Sequence, residues 1–299
     1  MAEPSNPEKP LIIATSAPLR GSLRVILVGA GGNGARVMPP LMQMLRPGDS
    51  VVIVDHDIVE DRNLARQHFT ERDIGRPKAL VLAERYRRSG VHVAAFAQQL
   101  TRETAGPLIT SLPQVATHTT TVAIGCVDNW QARAEIKLAL PRYVPLPSAW
   151  IDVGNEMRGG QVLMSLMGWP LHVPPITAPG QATSINLDAF TAMPQLLRAQ
   201  PWDCIPCGIR NTAGAGTCRE CQQPQASCGQ RVDLQTVMVN HMAAAAAINC
   251  LSWLMLGIPF TSCGAFFSTL NTMQPIRLAR FNRSSLRLEP DTTFADTEA

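Results

Sequence analysis

The sequence predicts an α/β fold built on a doubly wound, mostly parallel sheet, with an added C-terminal antiparallel portion and a Cys-rich insertion. Three observations carry this. Short apolar, β-branched runs alternate with helical segments through the first half of the chain. A glycine-rich turn follows the first run directly, in the strand–turn–helix context of a ligand-binding crossover. After about residue 148 the alternation gives way to adjacent strands, then to a stretch rich in Pro, Gln, Thr and Cys.

Residues 1–20 read as a proline-rich, irregular lead-in. Residues 24–28, RVILV, make a buried strand, and GAGGNG follows at 29–34. The next helix is expected to start near Gly34 and to take Pro39 and Pro40 early, because proline is tolerated in a first turn and kinks an interior. Residues 50–54 form a second buried strand ending at Asp55, and 57–75 are polar and turn-rich. A helix spans 77–88 with Pro77 at its first position. Strands at 92–98 and 121–127 follow, then a helix at 130–140. Residues 150–155 and 161–167 read as strands joined by a turn at Arg158-Gly159-Gly160, and 168–230 hold little regular structure. A long helix at 233–256 precedes strands at 266–270 and 275–281, and 290–299 read as a disordered tail. In domain terms, 21–167 is a nucleotide-binding half, 168–232 a Cys-rich crossover, and 233–289 completes the same domain.

The 299 residues are 45% hydrophobic and 16% charged, which excludes a mainly disordered chain. A formal net charge of +3 gives no argument for nucleic acid or an anionic membrane, and neither is expected as a partner. Only three of the 26 basic residues are lysines (Lys9, Lys78 and Lys137), so a lysine within a motif stands out. The polar opening MAEPSNPEKP has no signal-peptide character, and a cytoplasmic location is expected. Residues 236–258 are the only candidate membrane span, but Asn240, His241 and Asn249 near its middle favour a core helix.

The glycine loop contains G-x-G-x-x-G at Gly29, Gly31 and Gly34, with Gly32 added. Backbone N–H groups there can cradle phosphates at a helix N-terminus, and Asp55, at the end of the next strand, can accept both ribose hydroxyls. This much fits NAD as well as ATP. The following segment separates them. Residues 55–79, DHDIVEDRNLARQHFTERDIGRPKA, closely resemble the ThiF/MoeB/ubiquitin-activating family, and Asp128-Asn129 with Arg133 resembles its second acidic motif. The fold this resemblance implies is Rossmann-like, and the reaction is C-terminal adenylation of a small ubiquitin-like protein with a free C-terminus, releasing pyrophosphate. ATP would be held by Gly29, Gly31, Gly32, Gly34, Asp55, Asn63, Arg66, Gln67, Lys78, Asp128 and Asn129. Arg66 and Lys78 would offset phosphate charge, and Asp128 would hold Mg²⁺, a hard cation that prefers oxygen. Asp128 as the cap of the following helix is the plain alternative. A homodimer is the family's usual state. An NAD-linked oxidoreductase would need a catalytic acid or base that is not evident, and a non-catalytic binding subunit or a non-protein acceptor remain open.

Cys204-x-x-Cys207 and Cys218-x-x-Cys221 have the pattern of a Cys₄ zinc site, with redox dithiols or four unrelated thiols as alternatives. Family members carry two such pairs, but the second lies nearer their C-terminus, so this site is rewired or independently built. Cys228, just before the long helix, stands where the family can place a cysteine that takes the activated modifier; a spectator thiol or an extra zinc ligand is the alternative. Cys126, Cys250 and Cys263 sit in apolar contexts and read as core, as does His241, or as an interface residue. From Ser227 to Leu270 the sequence resembles the ThiF-related proteins of the bacterial PRTRC cassette. An N-terminal helix bearing the family's trans-acting arginine is not evident; Arg36, beside the glycine loop, is a candidate substitute.

Overall fold

The computed structural model of the chain describes residues 14–15, 21–65, 67–87, 90–110, 119–155, 159–172, 183–191, 194–199, 202–203, 207, 209–225, 237–260, 262–268, 276–281 and 288–290. In chain order the elements are β1 (Ala14–Thr15), β2 (Ser22–Val28), α1 (Gly32–Met44), β3 (Ser50–Val54), α2 (Lys78–Arg85), β4 (His92–Phe96), α3 (Arg102–Thr110), β5 (Thr119–Gly125), α4 (Trp130–Tyr143), β6 (Ser148–Asn155), β7 (Gly159–His172), β8 (Thr183–Leu187), β9 (Trp202–Asp203), β10 (Arg210–Asn211), α5 (Val237–Leu256), β11 (Ser262–Ser268), β12 (Ile276–Phe281) and β13 (Leu288–Pro290).

One sheet runs β13-β12-β11-β7-β6-β5-β2-β3-β4. From β6 to β4 all neighbours are parallel; from β6 to β13 all are antiparallel. The winding reverses at β2: β3 and β4 lie to one side of it, and β5 and β6 to the other. That reversal opens a crevice at the C-terminal ends of β2 and β5, which is where such sheets bind ligands.

The strands alternate their side chains between two cores. Val25, Leu27, Val51, Ile53, Val122 and Ile124 face the layer of α1, α2 and α5. Ile26, Val28, Val52, Val54 and Ala123 face the layer of α3 and α4. Parallel strands covered on both faces read as continuous apolar runs, and β3 is buried at every position.

Several expectations need correction. α1 begins at Gly32, so Pro39 and Pro40 lie in its interior rather than its first turn. Each removes one i→i−4 donor. Both line an open groove beside α5, where the helix faces no strand. α3 was not anticipated: Gly106 and Pro107 break its pattern, yet a Cβ on Gly106 would lie 2.9 Å from the Tyr143 ring, so the glycine permits close packing on α4. The stretch after residue 168 is more regular than expected, because β7 continues to His172 and pairs with both β8 and β1. The lead-in therefore contributes a strand, and β13 adds another near the end. Of the expected tail at 290–299, Pro290 ends β13 and the rest lies outside the described residues.

α5 is long and apolar enough, by length and composition, to cross a membrane. Its buried positions Val239, Ala243, Ala247, Cys250, Leu251 and Leu254 join the core under the sheet. Spacings of three and four put these residues on one helix face.

Candidate functional site

The crevice at the sheet reversal is a pocket walled by the glycine loop, the end of β3, the segment after β4, and the 126–129 loop after β5. Each wall follows from local sequence. Gly29 turns the chain at φ +94°, and a Cβ there would lie 2.5 Å from the Cys126 carbonyl oxygen. The Gly34 Cβ position lies 1.9 Å from the Gly29 carbonyl oxygen, so this glycine lets α1 seat against the loop and is not among the lining residues. A Cβ on Gly31 would meet no protein atom within 4 Å: that side faces the pocket. Gly31 also caps α1 without a side-chain bond, which leaves the first-turn N–H groups available to an anion.

Asp55 is buried beneath the loop. Its Oδ2 accepts from Ala30 N at 2.5 Å and its Oδ1 from Asp57 N at 2.7 Å. Burial pushes its carboxyl up from the ordinary range, against the pull of those two N–H donors. Each oxygen retains acceptor capacity for a hydroxyl. Lys78, nearly buried at the start of α2, reaches the pocket and donates to Asp57 Oδ2 at 2.9 Å. Gln67 lines the pocket with its Oε1 buried and without a partner among the described residues. Asn63 is buried but outside the lining; its Oδ1 accepts from Glu60 N and caps a short turn. Arg66 lies outside the described residues.

At the opposite wall Asp128 is exposed, and its Oδ1 accepts from Asn129 Nδ2 at 3.2 Å. It does not cap α4. Asn129 does, accepting from Ala132 N at 2.8 Å. Arg133 turns inward, where its Nε lies 3.1 Å from both Asp152 oxygens and its Nη2 donates to the Val127 carbonyl at 2.9 Å. A buried ion pair therefore holds the loop that carries Asp128. A carboxylate on a pocket wall suits a hard divalent cation bridging phosphates.

The pocket also contains residues that the sequence reading missed: Gln98, Gln99 and Leu100 after β4, and an amide cluster of Asn33, Asn155 and Asn240. Asn240 was visible only as a polar residue in an apolar helix. Arg36 does not supply the pocket. Its Nη1 donates to the Gly32 carbonyl at 3.1 Å and its Nε lies 3.4 Å from His241 Nε2, on the α1–α5 groove. His241 is exposed there rather than part of the core.

The sulphurs of Cys207, Cys218 and Cys221 lie within 4.8 Å of one another, with Cys207 and Cys218 3.5 Å apart. Tetrahedral zinc, with Zn–S bonds of about 2.3 Å, needs sulphurs about 3.8 Å apart. Three thiols thus fit a zinc ion; Cys204 and Cys228 lie outside the described residues. Cys250 is a core thiol pushed up to about 12 by burial. Burial also pushes the Cys126 thiol up, so although it lines the pocket it is a poor nucleophile. The Cys263 side chain is outside the described residues.

The model of the ThiF family matches residues 17–291. Over 186 residues the chain is 41% identical to the NEDD8-activating enzyme E1 catalytic subunit of Saccharomyces cerevisiae, 58% of this chain and 58% of that protein. Over 85 residues it is 41% identical to the sulfur carrier protein adenylyltransferase of Thermus thermophilus, 27% of this chain and 30% of that protein. The chain thus spans less than two thirds of either relative. The structure of E. coli MccB with ATP covers 88% of this chain at 18% identity and a TM-score of 0.49, with 64% of that chain matched.

Proposed function

This chain belongs to the ThiF family, and we propose that it uses ATP to adenylate the C-terminal carboxylate of a small ubiquitin-like protein. The observation that carries the reading is the pocket at the sheet reversal, with Asp55 brought to it from the end of β3, Lys78 from the start of α2 and Asp128 from the loop after β5. Asp55 receives the ribose hydroxyls, and the N-terminus of α1 receives the phosphates. Lys78, freed from Asp57, offsets charge that builds on the α-phosphate, with Arg66 as its partner in that role. The acceptor carboxylate is ionised at neutral pH and needs no base. Its oxygen attacks the α-phosphorus, one O–P bond forms, the bond to the bridging oxygen breaks, and pyrophosphate leaves. Asp128 would hold Mg²⁺, which supplies charge neutralisation across the phosphates. Catalysis is otherwise positioning.

In the same reading, Cys228 takes the acyl group from the adenylate as a thioester and releases AMP. Cys204 joins the other three thiols around zinc, two protomers associate, and the chain works in the reducing cytoplasm. The C-terminal likeness to PRTRC-cassette proteins directs the search for the acceptor to small proteins encoded beside this one.

The test is ATP–pyrophosphate exchange with each of those small proteins in turn. Exchange is expected with one of them, and Asp128→Ala is expected to lower it about 100-fold or more. Exchange that is equal in Asp128→Ala, or absent with every acceptor, counts against the reading. The zinc assignment is checked by metal analysis of the purified protein. About one zinc per chain is expected, lost in Cys218→Ser together with a fall in melting temperature. A metal-free wild type with the same melting temperature refutes it.

A further inference from the structure

The amide cluster at the first turn of α1 contains a donor with no acceptor among the described residues. Asn155 Nδ2 donates to Asn33 Oδ1 at 2.9 Å, and also to Asn240 Oδ1. With the Asn155 NH₂ group turned to Asn33, Asn240 presents its oxygen to Asn155 and its own NH₂ group on the other side; flipping Asn240 alone would set two NH₂ groups against each other. Asn240 is 2% exposed, and its Nδ2 has no hydrogen-bond partner among the described residues. A buried N–H without an acceptor is costly, which favours a ligand that supplies one.

The surroundings indicate what kind of acceptor. Asn240 lines the nucleotide pocket, and its carboxamide lies flat against Gly32: a Cβ on that glycine would be 3.2 Å from Nδ2. Gly32 is the first residue of α1, a 13-residue helix without a side-chain cap or an acid in its first turn. Helix dipole, open first-turn N–H groups and the orphan amide all favour an anionic oxygen at this point. Asp55 is anchored one step earlier in the loop, to Ala30 N. The ribose end of the nucleotide therefore lies toward residue 30 and the phosphates toward residue 32.

We infer that Asn240 is a phosphate-positioning residue, its Nδ2 donating to a phosphoryl oxygen of bound ATP at the N-terminus of α1. The inference rests on the nucleotide reading of the same pocket. It gives α5 a direct part in a site otherwise lined by residues 28–155.

Binding of Mg·ATP and of adenosine by isothermal titration, in wild type, Asn240→Ala and Asn240→Asp, tests it. Asn240→Ala is expected to weaken ATP roughly 10-fold or more, as for a hydrogen bond to a charged group, and to leave adenosine within about 2-fold. Asn240→Asp keeps the shape but brings a carboxylate to the phosphates, so ATP should weaken further while adenosine holds. It also carries the test if the alanine variant fails to fold. ATP and adenosine weakening together would show a merely structural amide and overturn the inference, as would no change in either. Unchanged ATP affinity with a raised half-saturating acceptor concentration would reassign Nδ2 to the acceptor carboxylate. A wild type that binds adenosine and ATP equally overturns the phosphate role alone; a wild type that binds neither overturns the nucleotide reading as well.

Discussion

Gly34→Ala is expected to weaken ATP binding about 100-fold and to lower the melting temperature, whereas Gly31→Ala should lose affinity for ATP and keep its stability. The two glycines stand three residues apart in one loop and meet opposite surroundings. A methyl at Gly34 would lie 1.9 Å from the Gly29 carbonyl oxygen, which is backbone and cannot swing aside. α1 would have to lift off the loop, carrying its N–H groups away from the phosphates. A displacement of about 1 Å at such a site can cost about 100-fold, and the forced repacking costs about 1–3 kcal/mol of stability. At Gly31 no protein atom lies within 4 Å, so the methyl meets only what enters the pocket. Thermal melts and ATP titrations on the two variants give the comparison. If Gly34→Ala melts and binds as wild type, the close approach of α1 to the loop is not a requirement of the site.

Asp152→Ala is expected to be the most destabilising single change in the Asp128 wall, by about 3–5 kcal/mol. Asp152 is fully buried and Arg133 nearly so, and the variant would leave the guanidinium without its carboxylate. For a chain of this size the melting temperature should fall by roughly 6–20 °C. The double variant Arg133→Met/Asp152→Leu separates stability from positioning. Replacing both charges by apolar groups is often neutral or better, so most of the stability should return. The bond from Arg133 to the Val127 carbonyl does not return, and Asp128 sits on the next residue. Magnesium-dependent ATP affinity should therefore stay low in a protein that melts near wild type. Recovery of both would show that the ion pair supports the fold alone.

The parts of this site that were legible in the sequence are those where local pattern and tertiary role coincide. A β-branched run feeding a glycine-rich turn could be read because strand propensity, turn chemistry and helix start agree from Val25 to Gly34. Asp55 could be read from its place directly after the second buried strand, whereas Lys78 and Asp128 were legible through the family motifs that carry them. What was hidden depended on partners distant in sequence. Pro39 and Pro40 contradict a helix interior, yet α1 keeps them because its other face is locked on the sheet and α5. α3 was masked by Gly106, whose use becomes visible only once Tyr143 lies against it. Asn240 registered as a polar residue within an apolar helix, without any indication that Gly32 and Asn155 would be its neighbours. Asn129 and Asn63 carry caps in the structure, uses that neither motif announced.

α5 also bears on the order in which the molecule can be completed. The parallel strands β2 to β6 are synthesised first, and their α1-side face is apolar. The buried stripe from Val239 to Leu254 that shields part of that face arrives only after residue 237. While the chain is still on the ribosome, a half-formed sheet stands with that surface uncovered, a condition that favours self-association over productive folding. The contacts that end it, such as Asn155 to Asn240 and Arg36 to His241, span 85 and 205 residues. Contacts of such long range are slow to form. Chaperone dependence during synthesis, and aggregation of fragments truncated before residue 237, are the expected consequences of placing this helix so late.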